Sequence, residues 1–334
     1  MRAALLALIV LAGLPGLGWA ADSAVILMYH RFGETAFPST NIRLDQFEAH
    51  LDHLAKGPYA VKPLEEIVAA LKDGRELPDR TVAITMDDAY LSIYRHAWPR
   101  LKAKGFPFTL FLATDEVDAK LKDHLSWDQI REMAAQGMSV GSHTASHPHL
   151  PDLAPAEVQA EIARANRRFT EELGKPPALF AYPYGEASAR DLAAAKAAGF
   201  AAAFGQHSGV AWAKHNPYYW ARFPFNEKYG DLERFRRAVD ALALPVRDLD
   251  PADPTVKGGE TLFRFRLEGE GPVKGLTCYD AAGNAHALAI EGRSVTAKAS
   301  AGLPKGRSRF TCTQPAGGGR WRHFGYQYYV GGKG

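Results

Sequence analysis

The 334-residue chain lacks several features that would each indicate a particular class of protein. It carries 40 Lys and Arg against 37 Asp and Glu, so its charge is nearly balanced and does not favour a nucleic-acid partner. After residues 1–20, no apolar run approaches the length of about 20 residues that a membrane-spanning helix needs. These absences predict a globular protein without a transmembrane segment once the leader is removed.

Cysteine is also scarce, and its position is informative. The two cysteines, Cys278 and Cys312, lie close together near the end of the chain. The start of the chain predicts export: Arg2 precedes the apolar stretch 3–17, and residues 18–20 (Gly-Trp-Ala) suit cleavage after position 20. Exported proteins retain disulfides, so we expect these two cysteines to be paired in a periplasmic or secreted protein.

The hydrophobic pattern changes once along the chain. Residues 22–245 alternate short apolar runs with helix-like stretches, which predicts a parallel α/β sheet, either open or closed into a barrel. Residues 246–256 are rich in proline and aspartate and predict a linker. Residues 257–334 show a period of two, as in Phe263 to Leu267, which predicts a small, sandwich-like all-β domain of unknown role.

Polar residues follow directly after several of the predicted strands. Asp87 and Asp88 follow one strand, and His143, Tyr184 and His207 each follow another. In α/β barrels and open α/β sheets, sites form at the C-terminal ends of the strands. We therefore expect these side chains to meet at one edge of the sheet.

The residue types at these strand ends indicate metal-assisted hydrolysis. His143 and His147 with one aspartate provide three ligands and leave metal positions open for water and substrate. The second aspartate can act as a base on that water. The turn Pro183-Tyr184-Gly185 can present backbone N–H groups to a developing negative charge. Together they predict hydrolysis of an acyl group.

Three segments resemble, in order and spacing, the motifs of the polysaccharide deacetylases, the NodB-homology group of carbohydrate esterase family four. They are Thr85 to Ala89, His143 to His147 and Ala181 to Tyr184. The resemblance covers roughly Ala24 to Arg237 and implies a distorted (β/α) barrel acting on an acetylated polysaccharide. It also implies one divalent metal, with Zn²⁺ expected first and Co²⁺ or Ni²⁺ as alternatives.

The resemblance also implies a role for each motif residue. Asp87 matches the catalytic base of the family. Asp88, His143 and His147 match its metal ligands, and the backbone N–H of Tyr184 matches the group that helps to hold the oxyanion.

The chain departs from the family pattern in three respects. Met86 and Ala89 replace a phenylalanine and a glycine of the aspartate motif. Ala181 stands where the family has an arginine that orients the base, and we expect Arg222 to replace it by pairing with Asp87. The family's late histidine, its general acid, has no clear match. His207 follows a strand and is the first candidate, and His30 after the first strand is a further one.

These observations predict an N-deacetylase of an exported or cell-wall polysaccharide that contains N-acetylhexosamine. Two alternatives stay open: an O-acetyl esterase on a polysaccharide, and a barrel that binds carbohydrate without activity. In the β-domain, Trp321, Tyr326 and Tyr328 either bind carbohydrate or fill the core, and small β-domains commonly bury such side chains.

Overall fold

A computed structural model describes residues 20–259, 262–299 and 302–331. The predicted leader, residues 1–20, lies outside the described residues except for the backbone of Ala20. Among the helices in the described part of the chain, none has the length and hydropathy needed to span a membrane.

Parallel strands form the sheet that the first part of the chain builds. They are β1 (Ser23–Tyr29), β2 (Thr81–Asp87), β3 (Thr109–Leu112), β4 (Ser139–Ser142), β5 (Leu179–Ala181), β6 (Ala202–Phe204) and β7 (Phe223–Pro224). Their order in the sheet is β6-β5-β4-β3-β2-β1, with β7 beside β1. Two short strands extend this sheet: Ala60–Val61 pairs with β2, and Ala211–Trp212 runs antiparallel to β1.

The sheet curls because one segment pairs with both of its ends. Trp220 forms a parallel bridge with Phe204 of β6, and three residues later Phe223 pairs with Leu27 of β1. The segment from Trp220 to Pro224 therefore lies between the first and last strands. This arrangement confirms the distorted (β/α) barrel expected from the sequence.

Helices cover the outside of the barrel. They are α1 (Leu44–Lys56), α2 (Leu64–Lys72), α3 (Trp98–Lys104), α4 (Thr114–Asp118), α5 (Trp127–Ala135), α6 (Pro155–Leu173), α7 (Ala189–Ala197) and α8 (Leu232–Val239). The sequence pattern predicts a helix over residues 91–104, and this segment is helical throughout, with a π-helical turn (Ile93–Ala97) directly before α3.

Local sequence explains the long helix α6. Pro155 occupies its first turn, where the missing N–H costs nothing, and Gly174 ends it with a φ of 81°. Its buried residues recur every three or four positions: Val158, Ile162, Ala165 and Phe169. This spacing places one apolar stripe against the barrel.

The C-terminal part contains two four-stranded sheets. Their strands are β8 (Leu242–Ala243), β9 (Val246–Asp250), β10 (Leu262–Leu267), β11 (Thr277–Tyr279), β12 (Ala287–Glu291), β13 (Ser294–Lys298), β14 (Gly306–Gly317) and β15 (Arg320–Val330). The orders are β8-β15-β14-β11 and β9-β10-β13-β12. Buried side chains from both sheets share one core, where the rings of Phe263 and Phe310 stack 4.3 Å apart. The expected all-β fold is confirmed.

A disulfide joins Cys278 to Cys312, as the sequence predicts. The two residues face each other on β11 and β14, and both are fully buried. The bond closes a loop over a sequence separation of 34 residues. In the chain-entropy model, closing a loop of this length lowers the conformational entropy of the unfolded chain and stabilises the folded state by about 3–4 kcal/mol.

Part of the predicted linker is a strand. Residues 246–250 of the expected linker 246–256 form β9, which pairs antiparallel with β10. The sequence pattern misses this strand because its backbone partner is remote and Pro251 follows it immediately. In addition, β8 lies before the expected boundary at residue 245 yet pairs with β15. The barrel and the C-terminal sheets are thus joined by main-chain hydrogen bonds.

Three histidines lie where the C-terminal strand β15 packs on the barrel. The ring of His207 lies 6.0 Å from that of Tyr326, His215 lies 5.3 Å from Phe324, and His323 lies 5.0 Å from Phe223. Each has a ring nitrogen without a hydrogen-bond partner among the described residues. The interface therefore holds imidazoles in apolar surroundings.

These surroundings disfavour the charged form of all three rings. Burial, reinforced by Arg309 and Arg222, lowers the pKa of His207 to about 3. Burial and Arg247 lower the pKa of His215 to about 4, against the opposing effects of a hydrogen bond from the ring to the Val246 backbone and of the charge of Asp22. Burial and Arg234 lower the pKa of His323 to about 4.

We predict that the protein loses stability as the pH falls below about 6.5, the pKa of histidine in an unfolded chain. Below about pH 6.5 these histidines bind protons in the unfolded state but stay neutral in the folded interface. The free energy of unfolding is therefore highest above that pH and decreases as the pH falls towards about 4. The free energy of unfolding should be measured by urea titration across this range.

Replacing His323 by glutamine (H323Q) should make this decline shallower, because it removes one ring that binds a proton more readily in the unfolded state than in the folded state. The matched control is His96→Gln, outside the interface. An equal pH dependence in wild type and H323Q would contradict the interpretation.

Candidate active site

The chain turns sharply where β2 ends, and this separates two adjacent aspartates. Asp87 is the last residue of β2, and the next two residues, Asp88 and Ala89, have φ values of 71° and 51°. The N–H of Asp88 donates to the carbonyl of Phe111 on the neighbouring strand, at 3.0 Å. Non-glycine residues in this conformation cost energy and persist only when the surroundings impose them.

Asp87 forms a fully buried ion pair with Arg222. The two guanidinium nitrogens Nη1 and Nη2 donate to its two carboxylate oxygens at 2.7 and 2.8 Å. Nη1 also donates to Oγ1 of Thr85 at 3.1 Å, and Nε donates to the carbonyl of Gly205 at 3.0 Å. This places Arg222 where the sequence analysis expected it, against Asp87.

The ion pair keeps Asp87 charged. Burial alone would raise the pKa of its carboxyl group, but the charges of Arg222 and His143 and the hydrogen bonds from Arg222 bring the pKa below its ordinary value. Asp87 is therefore ionised at neutral pH, with its orientation set by a bidentate contact.

Asp88 points to the two histidines of the second motif. Its Oδ1 lies 3.6 Å from Nε2 of His143 and 3.5 Å from Nε2 of His147. The two Nε2 atoms are 3.2 Å apart. Ligand atoms at about 2.0–2.1 Å from a tetrahedral ion lie roughly 3.3 Å from one another, so these three atoms fit one ion.

Three further observations support a metal at this triad. Nδ1 of His143 lies 2.7 Å from the carbonyl oxygen of Ala181, which leaves Nε2 free to bind a metal. Oδ1 of Asp88 is buried and has no hydrogen-bond partner among the described residues. Burial, with the charge of His143 adding to it, lowers the pKa of His147 to about 4, so that ring is neutral, as a ligand must be.

The Pro-Tyr-Gly turn lies beside this triad. Tyr184 has a φ of 59°, and its ring packs edge-on against His147, with 4.5 Å between centroids. On its other side the ring stacks on His149 at 4.3 Å. Nε2 of Gln327, from β15, donates to the carbonyl of Tyr184 at 3.1 Å. A side chain of the C-terminal sheet thus holds the Pro-Tyr-Gly turn in place.

The structure places His30, rather than His207, next to the aspartates. Nε2 of His30 lies 4.0 Å from Asp87 and 3.9 Å from Asp88, and the side chain is 12% exposed. The ring of His207 is buried against Tyr219 at 4.8 Å, and its low pKa keeps it neutral. The expectation that placed His207 first is corrected here, because the chain after β6 directs that ring into the interface with β15.

Sequence reasoning missed two supporting contacts. Thr85 helps to hold Arg222, and Gln327 holds Tyr184 from a position 143 residues away. Thr85 belongs to the first motif, but nothing in that motif indicates its contact with Arg222, and no local pattern marks Gln327. His30 was recognisable, because it follows its strand as the other site residues do.

Comparison with known proteins supports the same interpretation. A family model described as polysaccharide deacetylase matches residues 74–203, which include the aspartates, the two histidines and Tyr184. The barrel is of the polysaccharide deacetylase type. A Bacillus subtilis protein named as a polysaccharide deacetylase, YxkH, is 31% identical over 175 residues, or 52% of this chain. The chain spans 61% of that relative's length.

Other relatives of the polysaccharide deacetylase barrel are more distant. A poly-β-1,6-N-acetyl-D-glucosamine N-deacetylase of Staphylococcus aureus is 25% identical over 227 residues, covering 60% of this chain and 78% of that protein. The solved structure of IcaB from Ammonifex degensii is 28% identical, has a TM-score of 0.57, and covers 66% of this chain and 98% of its own.

A second solved structure shares the fold. The Streptococcus pyogenes deacetylase PplD has a TM-score of 0.61 at 24% identity, and the match covers 65% of this chain and 98% of that one. The resemblance first seen in three short motifs is thereby confirmed.

We predict that the Asp88→Ala and His143→Ala variants lose bound metal. Each change removes one of three converging ligands, and a metal held by two protein ligands dissociates far more readily. Metal content per chain should be measured by inductively coupled plasma mass spectrometry after dialysis.

The exposed Asp45 supplies the control variant Asp45→Ala, which should retain the wild-type metal content. Undiminished metal in both triad variants would show that the ion binds elsewhere.

Proposed function

We propose that this protein is a metal-dependent N-deacetylase of an exported or cell-wall polysaccharide that contains N-acetylhexosamine units. The observation that carries the proposal is the adjacency of two groups: the carboxylate of Asp87, held by Arg222, and the triad of Asp88, His143 and His147. The name of the Staphylococcus aureus relative, which specifies N-acetyl groups on a glucosamine polymer, supports the substrate class.

The three triad residues would hold one divalent metal ion. Two imidazoles and a carboxylate are a donor set typical of catalytic Zn²⁺, and Co²⁺ or Ni²⁺ suit similar donors. Such an ion supplies a Lewis acid that polarises the acetyl carbonyl and lowers the pKa of water.

The remaining steps belong to side chains and to one backbone group. Asp87 accepts the proton of the attacking water, and Arg222 fixes the direction of its carboxylate. The N–H of Tyr184 donates a hydrogen bond to the carbonyl oxygen as negative charge develops there. His30, within 4.0 Å of both aspartates, donates the proton that the departing sugar amine needs.

The residues present argue against the two alternatives. A barrel that only binds carbohydrate has no need of a buried charged base beside a metal triad, and this chain keeps both. An O-acetyl esterase expels an alcohol, which needs less help from an acid, whereas His30 lies between the two aspartates.

Acetate release is the direct test of the proposal. Purified full-length protein should release acetate from a short β-linked N-acetylglucosamine oligosaccharide, and a chelator should abolish the release until metal is restored. Release from an O-acetylated glycan alone would favour the esterase. No release from any acetylated glycan by metal-loaded protein would contradict the proposed function.

We predict that Asp87→Asn and His30→Gln each lower kcat by roughly 10²–10⁴-fold, the usual contribution of a general base or acid. Asp87→Asn should keep its metal, because Asp87 is not one of the three converging ligands. Acetate release and metal content should be measured on the same samples.

His207→Gln is the matched control for His30→Gln, and it should change kcat only a few-fold. A large loss with His207→Gln and none with His30→Gln would reverse the assignment of the acid. Loss of both metal and activity in Asp87→Asn would reverse the roles of the two aspartates.

A further inference from the structure

A second cleft opens where the barrel meets the C-terminal sheets, away from the metal triad. Its volume is about 500 Å³, which falls within the range of small-ligand sites, about 300–1,000 Å³. The barrel lines it with Tyr229 and Arg234, and the C-terminal sheets line it with Arg309 and Trp321. The proposed chemistry at the triad uses none of these residues.

Two aromatic side chains in this cleft are exposed to solvent. Trp321 is 44% exposed and Tyr229 is 39% exposed, among few large apolar side chains so exposed in the described part of the chain. The other aromatic candidates of the C-terminal region are engaged: the hydroxyls of Tyr326 and Tyr328 donate to backbone carbonyls at 2.6 and 2.8 Å. The ring of Tyr229 has Lys228 and Arg234 over it, at 5.3 and 5.2 Å from its centroid. Trp321 is thus the open aromatic face of the cleft, the kind of surface on which sugar rings stack.

The same cleft carries an excess of positive charge. No carboxylate of the described residues forms an ion pair with Arg309. Burial and the charge of Arg307 lower the pKa of its guanidinium group. Arg234 donates to the carbonyls of Pro224 and Tyr229 at 3.0 and 2.9 Å, and so its charge is not neutralised by an acid at hydrogen-bond distance.

The one carboxylate that lines the cleft, that of Asp280, is held by hydrogen bonds within its own loop. Both oxygens of Asp280 accept hydrogen bonds at 2.9 Å from its own loop, from the backbone of Ala282 and from the backbone and side chain of Asn284. These hydrogen bonds hold the carboxylate in its own loop but leave its negative charge in place. Arg234 and Arg309 outnumber this one acid in the lining of the cleft, which therefore keeps an excess of positive charge and favours an anion.

We propose that this cleft binds a saccharide that carries a negative charge, either the carboxylate of a uronic acid or a phosphate ester. The sugar ring stacks on Trp321, and the anionic group accepts from Arg309, whose planar guanidinium suits either anion. The proposal concerns binding alone, and so it does not depend on the proposed deacetylation.

The test is a binding comparison with matched ligands on the full-length protein. Isothermal titration calorimetry should compare trigalacturonate with its neutral methyl ester, and mannose 6-phosphate with mannose. We expect at least one anionic ligand to bind about tenfold more tightly than its neutral partner, equal to about 1.4 kcal/mol, with the difference decreasing at high salt. Which anionic ligand binds distinguishes carboxylate from phosphate.

Variants then locate the site. Trp321→Ala and Arg309→Lys should each weaken the anionic ligand about tenfold, while Trp321→Tyr keeps most of the affinity. The controls are Ile290→Ala and Arg266→Lys, which make comparable changes to an exposed apolar and an exposed basic side chain on the other C-terminal sheet, outside the cleft. Because Trp321 is exposed, replacing it should leave the packing of the core unchanged.

The outcomes separate this proposal from the proposed function. Equal binding of charged and neutral ligands, absence of binding, or equal weakening by the control variants would overturn it. Acetate release from a short neutral oligosaccharide should be unchanged in Trp321→Ala, whatever the binding result. Loss of that release in Trp321→Ala at unchanged metal content would instead make the cleft part of the reaction site and overturn the separate-site proposal.

Discussion

The buried ion pair between Asp87 and Arg222 is the interaction on which the site and the barrel both depend. Both side chains are fully excluded from solvent, and removing one partner of such a pair typically costs about 3–5 kcal/mol, because the other charge is left buried. Arg222 lies on the segment that closes the barrel between β6 and β1. The contact that orients Asp87 is therefore also a contact that holds the sheet closed.

Unfavourable backbone conformations accumulate around this ion pair. Positive φ values occur at Asp88, Ala89, Thr144, His147 and Tyr184, which all lie in the turns that follow β2, β4 and β5. Each such residue costs of order 1–3 kcal/mol and needs packed surroundings to persist. The cost is tolerated because these turns bring ligand atoms from separate strands to within 3.2–3.6 Å of one another.

The C-terminal sheets take part in the architecture of the site. Gln327 of β15 holds the carbonyl of Tyr184, and β8 adds residues of the barrel region to the C-terminal sheet. The same interface contains His207, His215 and His323, each with one ring nitrogen that has no hydrogen-bond partner among the described residues. The boundary expected from sequence, a free linker, is instead a packed junction, and it also creates the cleft beside Trp321.

Local sequence by itself determined the alternation of strands and helices, the helix α6 and the spacing of His143 and His147. These features depend on periodicity and short-range caps, which a chain carries wherever it folds. Only the tertiary structure decided that His30 rather than His207 lies beside the aspartates, and that residues 246–250 form a strand. It also brought Arg222 to Asp87 across 135 residues. The physical reason is that these features depend on how the sheet curls and on what packs against it. Both the direction of a side chain after a strand and the partner of an edge strand are set in this way. A short stretch of sequence does not contain that information.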